Sequence, residues 1–200
     1  MKKFTSCFLG IPLPREFQQE FEQLLADIYY NDPHIEIVRP QTPHVTVYYL
    51  NKQSQFSLNE IKKLVQPKMS IVKNIKMQIR GFGCFPEENP KVLFLDVAYP
   101  MALTDFNKEI SRLLRKYNAS DNKLTFHPHM TVGRIKNKQA KESFKINEKN
   151  LKSRLNIINW DFQVKEIILY GVDSMESPER QEKLVTIPVE VFRQTKCSLW

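Results

Sequence analysis

Two short segments of the chain place a threonine two residues after a histidine. The tetrapeptide HVTV occupies residues 44–47 and HMTV occupies residues 129–132, in a chain with only four histidines among 200 residues. Because side chains alternate between the two faces of a β-strand, residues i and i+2 point the same way. Each segment therefore predicts a strand that presents an imidazole beside a hydroxyl, with the apolar residues of the tetrapeptide buried on the opposite face.

Two imidazoles that face one cleft can serve as a general acid and a general base, since histidine titrates near neutral pH. Two hydroxyls between them can donate hydrogen bonds to the oxygens of an anion. Cleavage of a phosphodiester needs both acid–base catalysis and anion binding, because one bond to phosphorus breaks while a nucleophile enters on the other side. The predicted catalytic residues are therefore His44, Thr46, His129 and Thr131. A single such motif would most often be structural, but two matching copies favour chemistry.

A zinc site is the main alternative for these residues. His44, His127 and His129 could converge on one metal ion, yet a proline separates the last two, and no Asp, Glu or Cys adjoins either motif. Threonine is also a poor zinc ligand. We therefore expect chemistry without a metal and without a cofactor.

The patterning of apolar residues predicts the elements that carry the motifs. We expect a helix after Pro14, a short helix that Pro67 ends, a helix after Pro100 and a charged helix to about residue 155. Each half thus offers strand, helix, motif strand and helix, which predicts an α+β fold with two pseudo-symmetric lobes, each a mainly antiparallel sheet with flanking helices, around a central cleft. Strands are expected at residues 4–11, 35–38, 44–50, 71–85, 92–99, near 161–172 and 184–192, and at the second motif.

The domain organisation follows from the same repetition. The two motif histidines lie nearly half the chain apart, which suggests a duplication. We expect a single bilobal domain over residues 1–192 with duplicated halves at about 1–90 and 91–192, followed by a frayed tail at 193–200. No linker rich in glycine or serine separates the halves, so the lobes should share a core.

Composition narrows the partners and the setting. The formal net charge of +8 favours anionic partners such as RNA, although the lysine-dense stretch at 136–154 is also typical of a solvated helix face. Cys7, Cys84 and Cys197 show no metal or disulfide spacing, which favours a reducing, cytoplasmic setting. No apolar run is long enough for a membrane helix. We expect a monomer that does not enter the membrane.

The motifs also carry a resemblance. HVTV and HMTV resemble the paired H-x-[ST]-x signatures of the 2H phosphoesterase superfamily. CFLGIPLP, GFGCFPEENPKVLFLDV, FHPHMTVGRIK and VKEIILYGVDS further resemble segments of the RNA 2′,3′-cyclic phosphodiesterases, also called the 2′-5′ RNA ligase family. The resemblance covers nearly the whole chain and implies a metal-independent enzyme that opens a 2′,3′-cyclic phosphate at an RNA end and leaves a 2′-phosphate.

The resemblance assigns roles that the spacing alone leaves open. It implies that His44 is the acid that protonates the departing 3′ oxygen and that His129 is the base that activates water. Thr46 and Thr131 would hold the non-bridging oxygens. The same site run backwards would join a 5′-hydroxyl to the cyclic phosphate in a 2′-5′ linkage.

Two further residues are expected to bind substrate. Arg134 matches a family arginine associated with the phosphate or ribose. Strict alternation turns it away from His129, but a bulge at Gly133 would re-aim it. Tyr48 shares the predicted face of His44 and could stack on a base, whereas His127 is expected to be exposed to solvent.

The expected partners are RNA ends or cyclic nucleotides. Two alternatives have the same motifs. One is another 2H phosphodiesterase, acting on 2′-5′ oligoadenylate or trimming RNA 3′ ends. The other is a non-catalytic RNA-binding module on the same scaffold.

Overall fold

The computed structural model describes residues 6–117, 126–173 and 179–189 of the chain. Its strands are β1 (Ser6–Pro12), β2 (Glu36–Ile37), β3 (His44–Leu50), β4 (Lys76–Phe85), β5 (Val92–Ala98), β6 (His129–Arg134), β7 (Asn159–Gln163), β8 (Glu166–Asp173) and β9 (Arg180–Pro188). Its α-helices are α1 (Gln18–Asn31), α2 (Gln55–Val65), α3 (Met69–Val72), α4 (Met101–Leu114) and α5 (Lys138–Leu155). Short 3-10 turns occupy Arg15–Phe17, Gln66–Lys68 and Arg115–Tyr117.

The strands form one sheet in the order β7-β4-β5-β6-β3-β1-β8-β9, with β2 added beside β6. Every pairing among the described strands is antiparallel. The contact between β3 and β6 is a single pair, Val45 with Met130, so the sheet consists of two groups of four strands that meet at the motif strands. We call β1, β3, β8 and β9 the first lobe and β4–β7 the second lobe. The predicted α+β class is confirmed, with the two motif strands at its centre.

The lobes do not coincide with the halves of the sequence. The strand β4 precedes residue 90 but belongs to the second lobe, and β8 and β9 return to the first lobe. Two helices likewise contact the lobe opposite to the one that contains the strand before them. After β1, the helix α1 packs Phe21 against Trp160 of β7, while α4 follows β5 and donates a 2.7 Å hydrogen bond from Asn107 Nδ2 to the Val47 carbonyl of β3. A boundary near residue 90 therefore does not separate the lobes, and the duplication itself stays a prediction.

Apolar stripes on the helices hold the lobes together. The helices α1 and α4 each bury four apolar residues at helical spacing. One continuous cluster of buried side chains includes residues of both lobes, Leu9 and Leu93 among them. Because burying one such side chain contributes about 1.5–3 kcal/mol, this common core fixes the angle at which the two motif strands meet. No helix in the described part of the chain is long and apolar enough to cross a bilayer.

Two predicted strands differ from the structure. The run expected at 71–85 begins as the helix α3, and the strand starts only at Lys76. Asn74 has a φ of 69° and Ile75 donates its N–H to Val72, so the chain turns sharply before the strand. The run expected near 161–172 is two strands, β7 and β8. The predicted tail at 193–200 lies outside the described residues.

Candidate active site

The register between the motif strands brings their polar residues face to face. The one Cα pair between β3 and β6 joins the residue after His44 to the residue after His129. In an antiparallel pair of this register, His44 falls opposite Thr131 and Thr46 falls opposite His129. The structure thus groups two imidazoles and two hydroxyls at the point where the lobes meet.

A cleft of about 420 Å³ lies over this group. His44, Thr46, Thr131 and Arg134 line it. His129 lies beside the cleft, half-buried on the same face of β6 as Thr131, and its charge acts on His44. The four residues that the sequence predicted as catalytic therefore share one face of the sheet.

Both histidines are held by the same hydrogen bond. His44 Nδ1 lies 2.8 Å from the carbonyl oxygen of Thr42, and His129 Nδ1 lies 2.8 Å from the carbonyl oxygen of His127. Since a carbonyl can only accept, each Nδ1 carries the hydrogen. Each neutral ring therefore keeps Nε2 as its acceptor, which is the atom available for proton transfer.

The first imidazole rests on two stacked aromatic rings of the first lobe. The ring centroid of His44 lies 4.4 Å from that of Phe8 and 5.2 Å from that of Tyr170, and these two rings stack at 4.9 Å. Gly10 makes room for them, because a Cβ there would lie 3.1 Å from the Phe8 ring and 3.3 Å from the His44 ring. We call Phe8 and Tyr170 the first floor.

The second imidazole has an equivalent support in the second lobe. His129 lies 5.1 Å from Phe94 and 5.2 Å from Phe85, centroid to centroid, and these rings stack at 4.3 Å. A Cβ at Gly83 would lie 2.5 Å from the Phe94 ring, so only glycine allows this ring to lie over the strand. Phe94 and Phe85 form the second floor. Sequence reasoning missed both floors, since their residues come from β1, β8, β4 and β5.

Burial of the imidazole lowers the pKa of His44 to about 4. The positive charges of His129 and Arg134 lower it further, and the hydrogen bond to Thr42 opposes the change. His44 is therefore neutral at physiological pH.

Burial also lowers the pKa of His129, and the charges of His127 and Arg134 act in the same direction. The hydrogen bond to the His127 carbonyl opposes this shift, as does the carboxylate of Asp96. Asp96 pairs with His129 across β5 and β6, and its Oδ1 lies 3.5 Å from His127 Nε2. The side chain of His127 is 51% exposed. Among the described residues, the carboxylate of Asp96 thus favours the protonated form of His129, whereas the two charges that act on His44 favour its neutral form.

Matching β-bulges follow the two motifs. Along β1, Gly10 pairs with Thr46 and the preceding residue pairs with Tyr48, which leaves Val47 as the extra residue. In the second lobe, two adjacent residues of β5 pair with Thr131 and Gly133. The β6 residue between Thr131 and Gly133 is therefore the extra one. Each strand therefore reverses its alternation after the second apolar residue of the motif.

The bulges decide which later residues reach the cleft. Arg134, five residues after His129, lines it. Tyr49, five residues after His44, lines it too and is 53% exposed. Tyr48 instead packs against the core cluster. The expectation that Tyr48 shares the face of His44 is wrong because it assumed strict alternation. Within β3 itself, no glycine marks this bulge.

Arg134 is positioned by an acidic partner at the mouth of the cleft. Its Nη2 lies 3.3 Å from Glu179 Oε2, and both side chains are about one-third exposed. An exposed pair of this kind contributes little stability, so its main effect is to hold the guanidinium over the cleft. Arginine can then donate two parallel hydrogen bonds to a phosphate.

No group of three or more His, Cys, Asp or Glu side chains within residues 6–117, 126–173 and 179–189 is arranged to hold a metal ion.

Comparisons with known proteins identify the family and the fold. The family model of the 2′-5′ RNA ligase superfamily matches residues 13–174. A protein of Aquifex aeolicus named RNA 2′,3′-cyclic phosphodiesterase is 34% identical over 109 residues, which are 52% of this chain and 57% of the relative. One of Archaeoglobus fulgidus with the same name is 26% identical over 136 residues, which are 68% of this chain and 76% of the relative. The match thus spans little more than half of the Aquifex protein.

Solved structures share the fold. The protein TT0787 of Thermus thermophilus superposes with a TM-score of 0.70 at 15% identity, covering 92% of this chain and 97% of that one. LigT of E. coli, crystallised with 3′-AMP, superposes with a TM-score of 0.68 at 16% identity, covering 94% and 99%. At these identities the likeness concerns the arrangement of the strands and helices.

Proposed function

The chain belongs to the 2′-5′ RNA ligase superfamily, and on that premise we propose that it hydrolyses 2′,3′-cyclic phosphates of RNA ends or nucleosides to 2′-phosphates. The observation that carries the proposal is the pair of H-x-T strands with opposed polar residues at one cleft. The names of the curated relatives support the same substrate.

The proposed reaction adds one water across a P–O bond. One imidazole Nε2 removes a proton from water as its oxygen attacks phosphorus, and the other donates a proton to the 3′ oxygen as the P–O3′ bond breaks. The 2′ oxygen keeps the phosphate. General acid–base catalysis of this kind contributes about 10²–10⁴ in rate. No metal or cofactor takes part in this proposal.

The non-bridging oxygens gain negative charge during the attack. The hydroxyls of Thr46 and Thr131 lie on the face that would hold them, and Arg134 projects into the same cleft. Donors that are already in place when charge develops stabilise the transition state more than the ground state. We therefore propose that these three residues bind the phosphate, with Tyr49 beside the nucleoside.

The resemblance makes His44 the acid and His129 the base, and we keep this assignment as the proposal. The charges of the protein's own side chains favour the reverse, since Asp96 favours protonated His129. A bound phosphate brings negative charge to both imidazoles and raises the pKa of each. The assignment can be tested separately from the overall reaction.

The experiment is turnover of a nucleoside 2′,3′-cyclic phosphate followed by phosphorus NMR, which distinguishes a 2′-phosphate from a 3′-phosphate. We expect a 2′-phosphate, no effect of EDTA, and a rate loss of about 10²–10⁴ for His44→Ala and for His129→Ala. The exposed His34→Ala is the matched control and should keep full activity.

Two other results of these assays would indicate a different function. Turnover of 2′-5′ oligoadenylate or trimming of RNA 3′ ends in place of the cyclic phosphate would move the protein to another branch of the superfamily. RNA binding that survives both alanine substitutions, with no turnover by the unmodified protein, would indicate a non-catalytic binding module.

The same site run backwards would join a 5′-hydroxyl to the cyclic phosphate without ATP, as the family name implies. Incubating an RNA that ends in a cyclic phosphate with one that carries a 5′-hydroxyl should give a 2′-5′ linkage that resists nucleases specific for 3′-5′ bonds. If the unmodified protein forms no such product while hydrolysis proceeds, the reverse reaction is not part of its function.

A further inference from the structure

A second hollow of about 670 Å³ lies next to the catalytic cleft. Residues 36–39 line both hollows. The remaining wall contains side chains that do not line the cleft, among them Tyr29, His34, Lys136 and Asn137. We call this second hollow the side groove. It is open to solvent along its length, and the mechanism proposed above uses none of these four residues.

We propose that the side groove binds the nucleotide immediately upstream of the cyclic-phosphate end of an RNA strand, so that the preferred substrate is an oligonucleotide. The inference rests on the proposed function, because the terminal phosphate must occupy the cleft. It goes further by assigning a place to the next unit of the chain.

The backbone links the groove directly to the phosphate site. The strand β2 pairs with the end of β6, where Glu36 lies opposite Arg134 and Ile37 opposite Gly133. A Cβ at Gly133 would lie 2.7 Å from Ile35 Cγ2, so the two segments are in close contact. Lys136 follows Arg134 by two residues. The groove therefore keeps a fixed position relative to the catalytic residues.

The charges along this path suit a phosphate backbone. Arg134 lines the cleft, Arg39 lies on the segment common to both hollows, and Lys136 lines the groove. Lys136 Nζ lies 2.7 Å from Glu36 Oε1, which keeps the ammonium at the common wall. Both of these side chains are at least partly exposed. Successive cations beside a phosphate site are the usual arrangement for binding a nucleic-acid backbone.

An aromatic ring is available for the base. Tyr29, near the end of α1, is 55% exposed although it lines the groove. Single-stranded RNA is commonly bound by stacking an unpaired base on such a ring. A cationic path that begins at the phosphate site and has an exposed ring beside it fits single-stranded RNA better than it fits an anionic protein.

The experiment compares two substrates of the same protein, a nucleoside 2′,3′-cyclic phosphate and a tetranucleotide that ends in one. We expect a higher kcat/KM for the tetranucleotide. Tyr29→Ala should lower that value about tenfold, within the range for loss of one base–aromatic stack, and leave the mononucleotide rate unchanged. Tyr30→Ala is the matched control, because Tyr30 is 87% exposed and does not line the groove.

The cationic part of the proposal has its own pair of variants. Lys136→Gln should weaken tetranucleotide binding and flatten its dependence on salt by a slope of about 0.7, the value for one phosphate of a single strand. Lys138→Gln removes the same charge two residues later, outside the groove, where the side chain is 90% exposed. It should change neither quantity.

The outcomes separate this inference from the function on which it rests. If the unmodified protein turns over neither substrate, the proposed function fails. If it turns over both with equal kcat/KM, or if Tyr29→Ala and Tyr30→Ala behave alike, the function stands and the side groove is not a nucleotide site.

Discussion

The two motif strands share their backbone geometry but differ in the groups around them. Each histidine donates Nδ1–H to the carbonyl two residues earlier, rests on a pair of stacked rings and is followed by a bulge. Around His44 the residue two positions earlier is Thr42 and the partner across the sheet is Pro12. Around His129 these places are taken by His127 and Asp96.

The difference shows how one scaffold can provide two unlike proton carriers. The hydrogen bond at Nδ1 fixes which ring nitrogen is left as the acceptor, and this is the same in both lobes. Charge decides how readily that nitrogen binds a proton. Among the described residues, Asp96 raises the pKa of His129, whereas the charges that act on His44 lower its pKa. The positions five residues after each histidine differ likewise, with Tyr49 in one lobe and Arg134 in the other. A pseudo-symmetric frame thus places unlike groups on the two sides of one cleft.

The largest expected effect tests which imidazole is the acid. In a cyclic substrate whose bridging 3′ oxygen is replaced by sulfur, the leaving thiolate does not need a proton, because a thiol ionises far more readily than an alcohol. We expect His44→Ala to lose about 10²–10⁴ in kcat on the oxygen substrate and to recover most of that loss on the sulfur substrate.

His129→Ala should stay slow on both substrates, since water still requires a base. Recovery by His129→Ala instead would reverse the two roles and would show that the carboxylate of Asp96, not the resemblance, identifies the acid. Equal losses on both substrates for both variants would remove the acid–base distinction between the lobes.

The sequence alone predicts those features of the site that depend on the local pattern of residues along a strand. Strand alternation and the doubled motif predicted that His44 shares a face with Thr46 and that His129 shares a face with Thr131, because residues i and i+2 share a face wherever no bulge separates them. The sequence alone does not predict features that depend on the pairing of strands distant in the chain. Neither the exchange of β4, β8 and β9 between lobes nor the aromatic floors is visible in any local periodicity.

The bulges show the same limit within one strand. After the second motif, Gly133 marked a place where alternation could break, and Arg134 was expected in the cleft on that ground. After the first motif two tyrosines follow without a glycine in the strand, so the reversal leaves no local signal, and strict alternation favours Tyr48 over Tyr49. The repeat itself held the missing information, since a break after one copy implies a break after the other.

A smaller effect should appear in the pH dependence of stability. The unfolded chain protonates His44 with the ordinary pKa of 6.5, whereas the folded chain does so only near pH 4. Between these values the unfolded state binds more protons, so stability is complete above about pH 6.5 and falls as the pH drops through the window. One such group removes up to about 2 kcal/mol between pH 6.5 and pH 5.

Urea unfolding at pH 7 and pH 5 measures this loss. His44→Gln should reduce the difference between the two pH values, because glutamine does not titrate. If His44→Gln and the unmodified protein lose the same stability on acidification, burial does not set the proton affinity of the first imidazole.

The smallest effect concerns the two aromatic floors. Tyr170 is buried, and its hydroxyl has no hydrogen-bond partner among the described residues, while the second floor contains only phenylalanine. An unpaired buried hydroxyl costs stability, so Tyr170→Phe should raise the free energy of unfolding by about 1 kcal/mol and leave kcat unchanged. This substitution makes the first floor like the second. A loss of activity with stability preserved would mean that the hydroxyl acts on His44 or on substrate, and the floors would then differ in function as well as in composition.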